Sequence, residues 1–219
     1  MGKKPIISQR QKIILDEIDN NQFISSRFYF TGGTALSEVY LQHRKSVDLD
    51  FFSLINFDTQ AVLNILNTWS KKYNFEVQAE YFEPTYICTL IFSDKEKLKL
   101  DFSYHPYKKL APPVKYGNHI LVDSLTDIAV NKLLAISQRI EAKDFVDLYY
   151  LLHKYTVWDL MEGVRVKYRI TTEPYILSSD LYLAEGLELM PKMVKPLALD
   201  ELKAFFRQKA KELAKTAVE

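Results

Sequence analysis

A chain of 219 residues with 47% hydrophobic and 13% aromatic side chains can bury one substantial core or two modest ones. A formal net charge of +1 excludes a globally basic nucleic-acid binder, so a polyanion would have to be met by local clusters. No apolar stretch reaches bilayer-spanning length, Met1-Gly2-Lys3-Lys4-Pro5 lacks the apolar run of a secretion signal, and the single cysteine excludes an internal disulfide, so a cytoplasmic protein is expected.

In chain order, a first helix is predicted from about Ser8 to Asn20, followed by an extended aromatic segment from Arg27 to Thr31. Gly32-Gly33 then reads as a tight turn and Thr34 to Leu41 as a helix. At a strand-turn-helix of this kind the free amides of the helix start point outward, and glycine lets a phosphate approach the backbone. Next, Ser46, Asp48 and Asp50 alternate with Val47, Leu49 and Phe51, which places the polar three on one strand face and the apolar three toward the core. Two carboxylates that close repel unless a cation lies between them, and magnesium is the usual solution. A glycine pair alone is a turn and an Asp-x-Asp alone is a solvated edge; in this order the two suit a nucleoside triphosphate and its metals.

A helix is expected from Asp58, as its cap, to Tyr73, with Ala61, Val62, Ile65, Leu66 and Trp69 buried. Tyr86 to Phe92 is an apolar strand, Ser93-Asp94-Lys95-Glu96 a reversal, and Leu98, Leu100 and Phe102 alternate with Lys97, Lys99 and Asp101 on a second strand. Cys88 reads as a small buried side chain and not a nucleophile. His43, His105, His119 and His153 are too scattered for a metal cage, and His43 suits a local hydrogen bond. Ala111 to Asp123, with Pro112-Pro113 and Gly117-Asn118, reads as a joint between an α/β part and a mainly helical part. Ser124 and Asp127 form a capping box for a helix ending near Arg139, with Leu125, Ile128, Ala129, Leu133, Ile136 and Ile140 at helical spacing and Lys132 inside it. Further helices are expected over Ala142 to Lys154, Thr156 to Tyr168 and Leu199 to Lys215, with Tyr175 to Pro196 a mixture of short segments.

The strand ending in Gly32-Gly33 followed by Asp48-Leu49-Asp50 resembles the nucleotidyltransferase superfamily of DNA polymerase beta and the CCA-adding enzymes. Gly32-Gly33-Thr34-Ala35-Leu36 with Arg44, Ser46, Asp48 and Asp50 is similar to the AbiE-type toxins, the AbiEii nucleotidyltransferase half of type IV toxin-antitoxin pairs. The resemblance implies an α/β (α+β) fold: a nucleotidyltransferase domain over 1–120 with a mixed sheet flanked by helices, then a helical domain over 121–219 completing the active-site cleft. It implies a third carboxylate on a neighbouring strand, which Asp101 supplies if the two polar strand faces adjoin. Asp48, Asp50 and Asp101 would hold Mg2+ or Mn2+ and accept the proton of an attacking hydroxyl. The nucleotide would meet Gly32, Gly33, Thr34 and Ser46. Lys132, Arg139 and Lys143-Asp144-Phe145-Val146-Asp147-Leu148 resemble a second family segment, which implies that Lys132 contacts the triphosphate, that Asp144 belongs to the active site and that Asp147 is structural. Lys143 stands where arginine is the commoner residue, exchanging a bidentate contact for a point charge. The alternative for Asp144 and Asp147 is salt bridging to Arg139, Lys143 or Lys154 on exposed helix faces.

The implied reaction is transfer of a nucleoside monophosphate from an NTP to an RNA acceptor, with the tRNA 3′ end leading, and a cognate antitoxin is implied as partner. Three basic clusters could meet RNA: Lys95, Lys97 and Lys99; Lys108, Lys109 and Lys115; and Lys203, Arg207, Lys209, Lys211 and Lys215. Each is otherwise a solvated face. Tyr104, Tyr107 and Tyr116 could stack on unpaired bases or serve as polar-tipped core residues. Other readings are transfer to a small molecule or a protein side chain, a silent binding protein retaining the fold, and a glycosyltransferase using Asp-x-Asp, in which Gly32-Gly33 has no natural place.

Overall fold

The computed structural model describes residues 6–216; Met1-Gly2-Lys3-Lys4-Pro5, read above for a secretion signal, lies outside them, as do residues 217–219. Two compact units are present. The first comprises the described chain up to Val39 with Ser46–Tyr107 and Pro113–Asp123; the second comprises Tyr40–Lys45, Lys108–Pro112 and the chain from Ser124.

The first unit begins with α1 (Gln9–Asn20), whose start is fixed by reciprocal capping between Ser8 and Gln11. Asn21 caps α2 (Gln22–Arg27), a helix too short to leave a periodic signal in the sequence. β1 (Tyr29–Thr31) runs into α3 (Gly32–Ala35), which continues as a π-helical turn over Leu36–Leu41. There follow β2 (Leu49–Ser53), α4 (Thr59–Tyr73, capped by Asp58), β3 (Phe75–Phe82), β4 (Thr85–Phe92) and β5 (Lys97–Tyr104), then β6 (Val114–Tyr116) and β7 (Ile120–Val122). The strands make one mixed seven-stranded sheet in the order β3-β4-β5-β2-β1-β7-β6. β2 is parallel to β5 and antiparallel to β1, and β1 is parallel to β7. The apolar face of the sheet stacks Phe30 on Phe51 and Phe51 on Phe102, with centroids 5.3 and 5.5 Å apart, and Cys88, Leu90 and Leu100 are buried.

One boundary differs from the sequence reading. Ala111 to Asp123 is not simply a joint: Pro113–Asp123 belongs to the first unit, where β6 and β7 form a hairpin and β7 pairs with β1. The Asp19 carboxylate anchors that hairpin by accepting the N–H groups of Asn118, His119 and Ile120. Glycine there makes a turn within the sheet and not a linker.

The second unit holds α5 (Leu125–Ile136), α6 (Ala142–Leu151), α7 (Val157–Tyr168), α8 (Pro174–Tyr182), a 3-10 turn at Leu183–Gly186, and α9 (Leu199–Thr216). Its buried residues include Ile128, Leu133, Phe145, Leu148, Leu160, Val164, Leu181 and Phe206, with Phe145 edge-on to Phe206 at 5.2 Å. α5 ends at Ile136, short of Arg139, and Ile140 is 55% exposed instead of extending the apolar stripe. A mixed sheet with helices and a mainly helical second part makes this an α/β protein, as expected. No described helix is long and apolar enough to cross a membrane.

Candidate active site

The site is built where β1 turns into α3 beside β2 and β5. Gly32 has φ +71°, and a Cβ there would lie 2.0 Å from Asp50 Oδ2, so position 32 must be glycine for Asp50 to keep its place. Thr31 is the register partner of Asp50 on β1, and Asp50 is the register partner of Asp101 on β5. Register partners on paired strands present their side chains on the same face, about 4.8 Å apart in backbone spacing. The two predicted acids are therefore neighbours on one face: alternation set the face of each, and the pairing of β2 with β5 brings those faces together.

Lys99 shares that face. Its Nζ lies 2.6 Å from Asp101 Oδ2. Burial alone would lower the Lys99 pKa, but Asp101, supported by Asp48 and Asp50, outweighs it and holds the ammonium above lysine's ordinary value. Three carboxylates thus act on a single cation.

Asp48 sits outside the ladder, since β2 begins at Leu49. This corrects the reading of Ser46 to Phe51 as one alternating strand: Val47, assigned to the apolar face, is 72% exposed. The segment is held by other means. Thr34 is buried and its hydroxyl donates to the Asp48 carbonyl, and Gln11 Nε2 donates to the Ser46 carbonyl at 3.0 Å. Gly33 is buried beside them. Oxygen donors on adjacent strands are the chemistry a hard divalent cation takes, and the absent Cβ at position 32 leaves room for the Asp50 carboxylate to be one of them. Among the described residues, no group of three His, Cys, Asp or Glu side chains is arranged to hold a metal ion. Cys88 is buried on β4 with its thiol pushed up to about 12, mainly by burial, so it carries no thiolate.

The second unit gathers the other predicted residues. Lys132 Nζ is buried between Asp144 Oδ1 at 2.6 Å and Asp147 Oδ2 at 2.7 Å. Arg44 grips Asp147 with both Nε, at 2.6 Å, and its terminal nitrogen, at 2.8 Å, while His43 Nε2 lies 2.7 Å from Asp147 Oδ1. Arg139 Nε reaches Asp144 Oδ2 at 2.7 Å. Burial would raise both carboxylates, but the surrounding cations overcome it and hold Asp144 and Asp147 below the usual range. Burial would likewise lower Lys132, yet Asp147 and Asp144 keep it above its ordinary value. For His43 burial wins over Asp147 and pushes the imidazole pKa down, so the ring is neutral and donates its Nε2–H. The salt-bridge alternative for Asp144 and Asp147 holds in part: Arg139 does bridge Asp144, but both acids are fully buried and not on an exposed face, and Lys143 pairs instead with Glu141 at 2.9 Å.

A family model described as nucleotidyl transferase AbiEii toxin, type IV toxin-antitoxin system, matches residues 13–216. The chain belongs to the AbiEii family. A protein of Aquifex aeolicus, itself described as uncharacterised, is 34% identical over 195 residues, covering 86% of this chain and 89% of that one. Among solved structures, MenT4, a nucleotidyltransferase toxin of Mycobacterium tuberculosis, shares the fold at 18% identity with a TM-score of 0.58, over 92% of this chain and 82% of its own. JHP933 of Helicobacter pylori does so at 20% identity and 0.56, over 97% and 95%. The protein is a nucleotidyltransferase of the α/β class.

Within this AbiEii chain, sequence reasoning missed partners more than residues. Arg44 was part of the quoted motif, yet Asp147 lies 103 positions away and no local spacing announces the pairing. Lys99, open in the sequence to lining the Asp101 side or to an ordinary charged strand face, lies 2.6 Å from Asp101, and its register partner Thr89 on β4 is set by the strand pairing. Lys167, buried against Asp127 at 2.7 Å, gave no signal at all. In the last basic cluster, Arg207 pairs with Glu185 and Lys209 with Glu212, as a solvated face does.

Proposed function

We propose that this AbiEii-family enzyme is metal-dependent and transfers a nucleoside monophosphate from a nucleoside triphosphate to the terminal hydroxyl of an RNA acceptor such as tRNA, releasing pyrophosphate. The observation that supports it is the register pairing of Asp50 with Asp101 beside a glycine whose left-handed backbone and missing Cβ leave the Asp50 carboxylate its place. Asp48, Asp50 and Asp101 would hold Mg2+ or Mn2+, which would neutralise charge on the triphosphate and align it for in-line attack. The acceptor oxygen forms its bond to the α-phosphorus as the bond to pyrophosphate breaks, and Asp101 takes the hydroxyl proton. Gly32 and Gly33 admit the phosphates to the backbone, Thr34 holds the Asp48 segment in place, and Ser46 faces the nucleotide.

Lys132 contacts the triphosphate and Asp144 orients it. In support, Lys132, Arg44 and Arg139 outnumber Asp144 and Asp147, and with His43 neutral the cluster keeps a positive excess that a polyphosphate would balance. Catalysis is thereby assigned to residues 1–120, with 121–219 contributing Lys132 and Asp144. The family's place in type IV toxin-antitoxin systems supports growth arrest as outcome, a cognate antitoxin as partner and an intracellular location.

Purified protein incubated with Mg2+, total RNA and each of four labelled triphosphates in turn, beside the Asp48→Asn variant, tests the reading on a denaturing gel. Label in tRNA-sized bands with wild type alone is the expected result. Consumption of triphosphate without labelled RNA would move the acceptor to a small molecule or a protein.

A further inference from the structure

Strand alternation places Phe52 and Ser103 on the same face as Asp50 and Asp101, two residues further along β2 and β5. There Phe52 stacks on His105 at 4.4 Å with planes 25° apart, Tyr107 meets His105 edge-on at 4.7 Å, and Tyr29 lies edge-on to Phe52 at 6.1 Å. The group is pinned. His105 N–H donates to the Ser53 carbonyl at 2.7 Å, prolonging the ladder between β5 and β2, and Tyr107 N–H donates to the His105 carbonyl at 2.8 Å. The Tyr29 hydroxyl and His105 Nδ1 lie 3.3 Å apart. Core packing accounts for Tyr29, which is 5% exposed, but not for Tyr107, which is 40% exposed. Rings fixed in place with a solvent-facing rim form a preorganised stacking platform, and every nucleobase has a π-face to lay on one.

The position of this shelf is directional. Gly32, Gly33, Asp48 and Lys99 all lie at one end of the Asp50 and Asp101 pair, because β1 runs antiparallel and β5 parallel to β2; the shelf lies at the other end. In-line displacement brings the attacking oxygen in opposite the departing pyrophosphate. If the pyrophosphate leaves on the glycine side, as the proposed reaction has it, the acceptor enters over the aromatic rings. Resting on that reading, we infer that Phe52, His105 and Tyr107 receive the terminal base of the acceptor RNA by stacking, so that an unpaired end is what brings its hydroxyl to Asp101.

Binding of a short 5′-fluorescein oligoribonucleotide to the full chain, by anisotropy, tests this with an intact or an abasic terminal residue. Wild-type protein is expected to hold the intact strand about tenfold tighter than the abasic one. Tyr107→Ala loses that difference and Tyr107→Phe keeps it, which separates stacking from misfolding, while triphosphate affinity measured without RNA is the same in all three. Absent binding, equal binding of both strands by the wild type, or a difference that survives Tyr107→Ala, overturns the inference. So does a fall in triphosphate affinity on Tyr107→Ala with the RNA preference intact, which assigns the shelf to the incoming nucleotide. A failure of transfer in the labelling assay would refute the reaction separately, since these readouts need no turnover.

Discussion

The two units each gather aspartates around a lysine, and they do so to opposite ends. On the sheet, Asp50 and Asp101 are half-buried, and the lysine between the acids is itself 39% exposed. In the helical unit, Asp144 and Asp147 are fully buried and every cation near them is committed to a carboxylate. A carboxylate with a solvent-facing lysine can exchange that partner for a metal or a substrate at modest cost, because exposed pairs are weak. A buried, saturated carboxylate cannot lose a partner without leaving an uncompensated charge. On the proposed reading the sheet acids carry the chemistry, while in the helical cluster Asp147 is the structural anchor of the framework from which Lys132 and Asp144 meet the triphosphate.

The largest expected effects break the open site. Asp50→Asn is expected to lower the transfer rate by roughly a hundredfold or more while leaving the denaturation midpoint nearly unchanged, since it removes charge and not packing. Gly32→Ala should reach a similar loss by another route, its new Cβ falling 2.0 Å from Asp50 Oδ2 and displacing that carboxylate. Steady-state rates with labelled triphosphate check both.

Next comes the closed cluster. Asp147→Ala strands Arg44 and removes one of the two carboxylates of Lys132, so urea denaturation should show a loss of about 3–5 kcal/mol. The smallest effect sharpens the comparison through pH. His43 has its pKa lowered from 6.5, so below that pH the unfolded chain takes up a proton that the folded chain refuses. Stability is therefore expected to decline as pH falls from about 6.5, and to decline again below about 3.8, where unfolded Asp144 and Asp147 protonate while their folded counterparts do not. His43→Gln, which keeps a donor toward Asp147, should flatten the upper part of that decline in denaturation profiles taken across pH.

Much of this was legible because short-range patterns carried it. The alternation of Leu98, Leu100 and Phe102 with Lys97, Lys99 and Asp101 located β5 and its polar face, and the caps at Asp58 and Ser124 located two helix starts; Ser8 and Thr156, expected only as helix beginnings, prove to be caps as well. β3 went unread although Phe75, Val77, Ala79 and Tyr81 alternate with Glu76, Gln78 and Glu80; it is an edge strand of which only Phe75 is buried. α8 escaped because both its faces are apolar, with Leu177 and Leu181 buried but Tyr175, Ile176 and Tyr182 exposed, so no period emerges. Burial of Asp147 depended on His43 and Arg44 arriving from across the chain, and the aromatic shelf depended on Tyr29, Phe52 and His105 converging from three elements. Contacts of that separation are set by the fold, and no local pattern encodes them.

The proposed division between an open, reactive carboxylate pair on the sheet and a closed cluster anchored by Asp147 is tested most directly by measuring transfer and unfolding free energy together for Asp101→Asn and Asp147→Asn. Asp101→Asn is expected to abolish transfer at near wild-type stability, and Asp147→Asn to lose stability by several kcal/mol, as a buried pair that loses its charge does. Full transfer by Asp101→Asn, or wild-type stability in Asp147→Asn, would contradict that division.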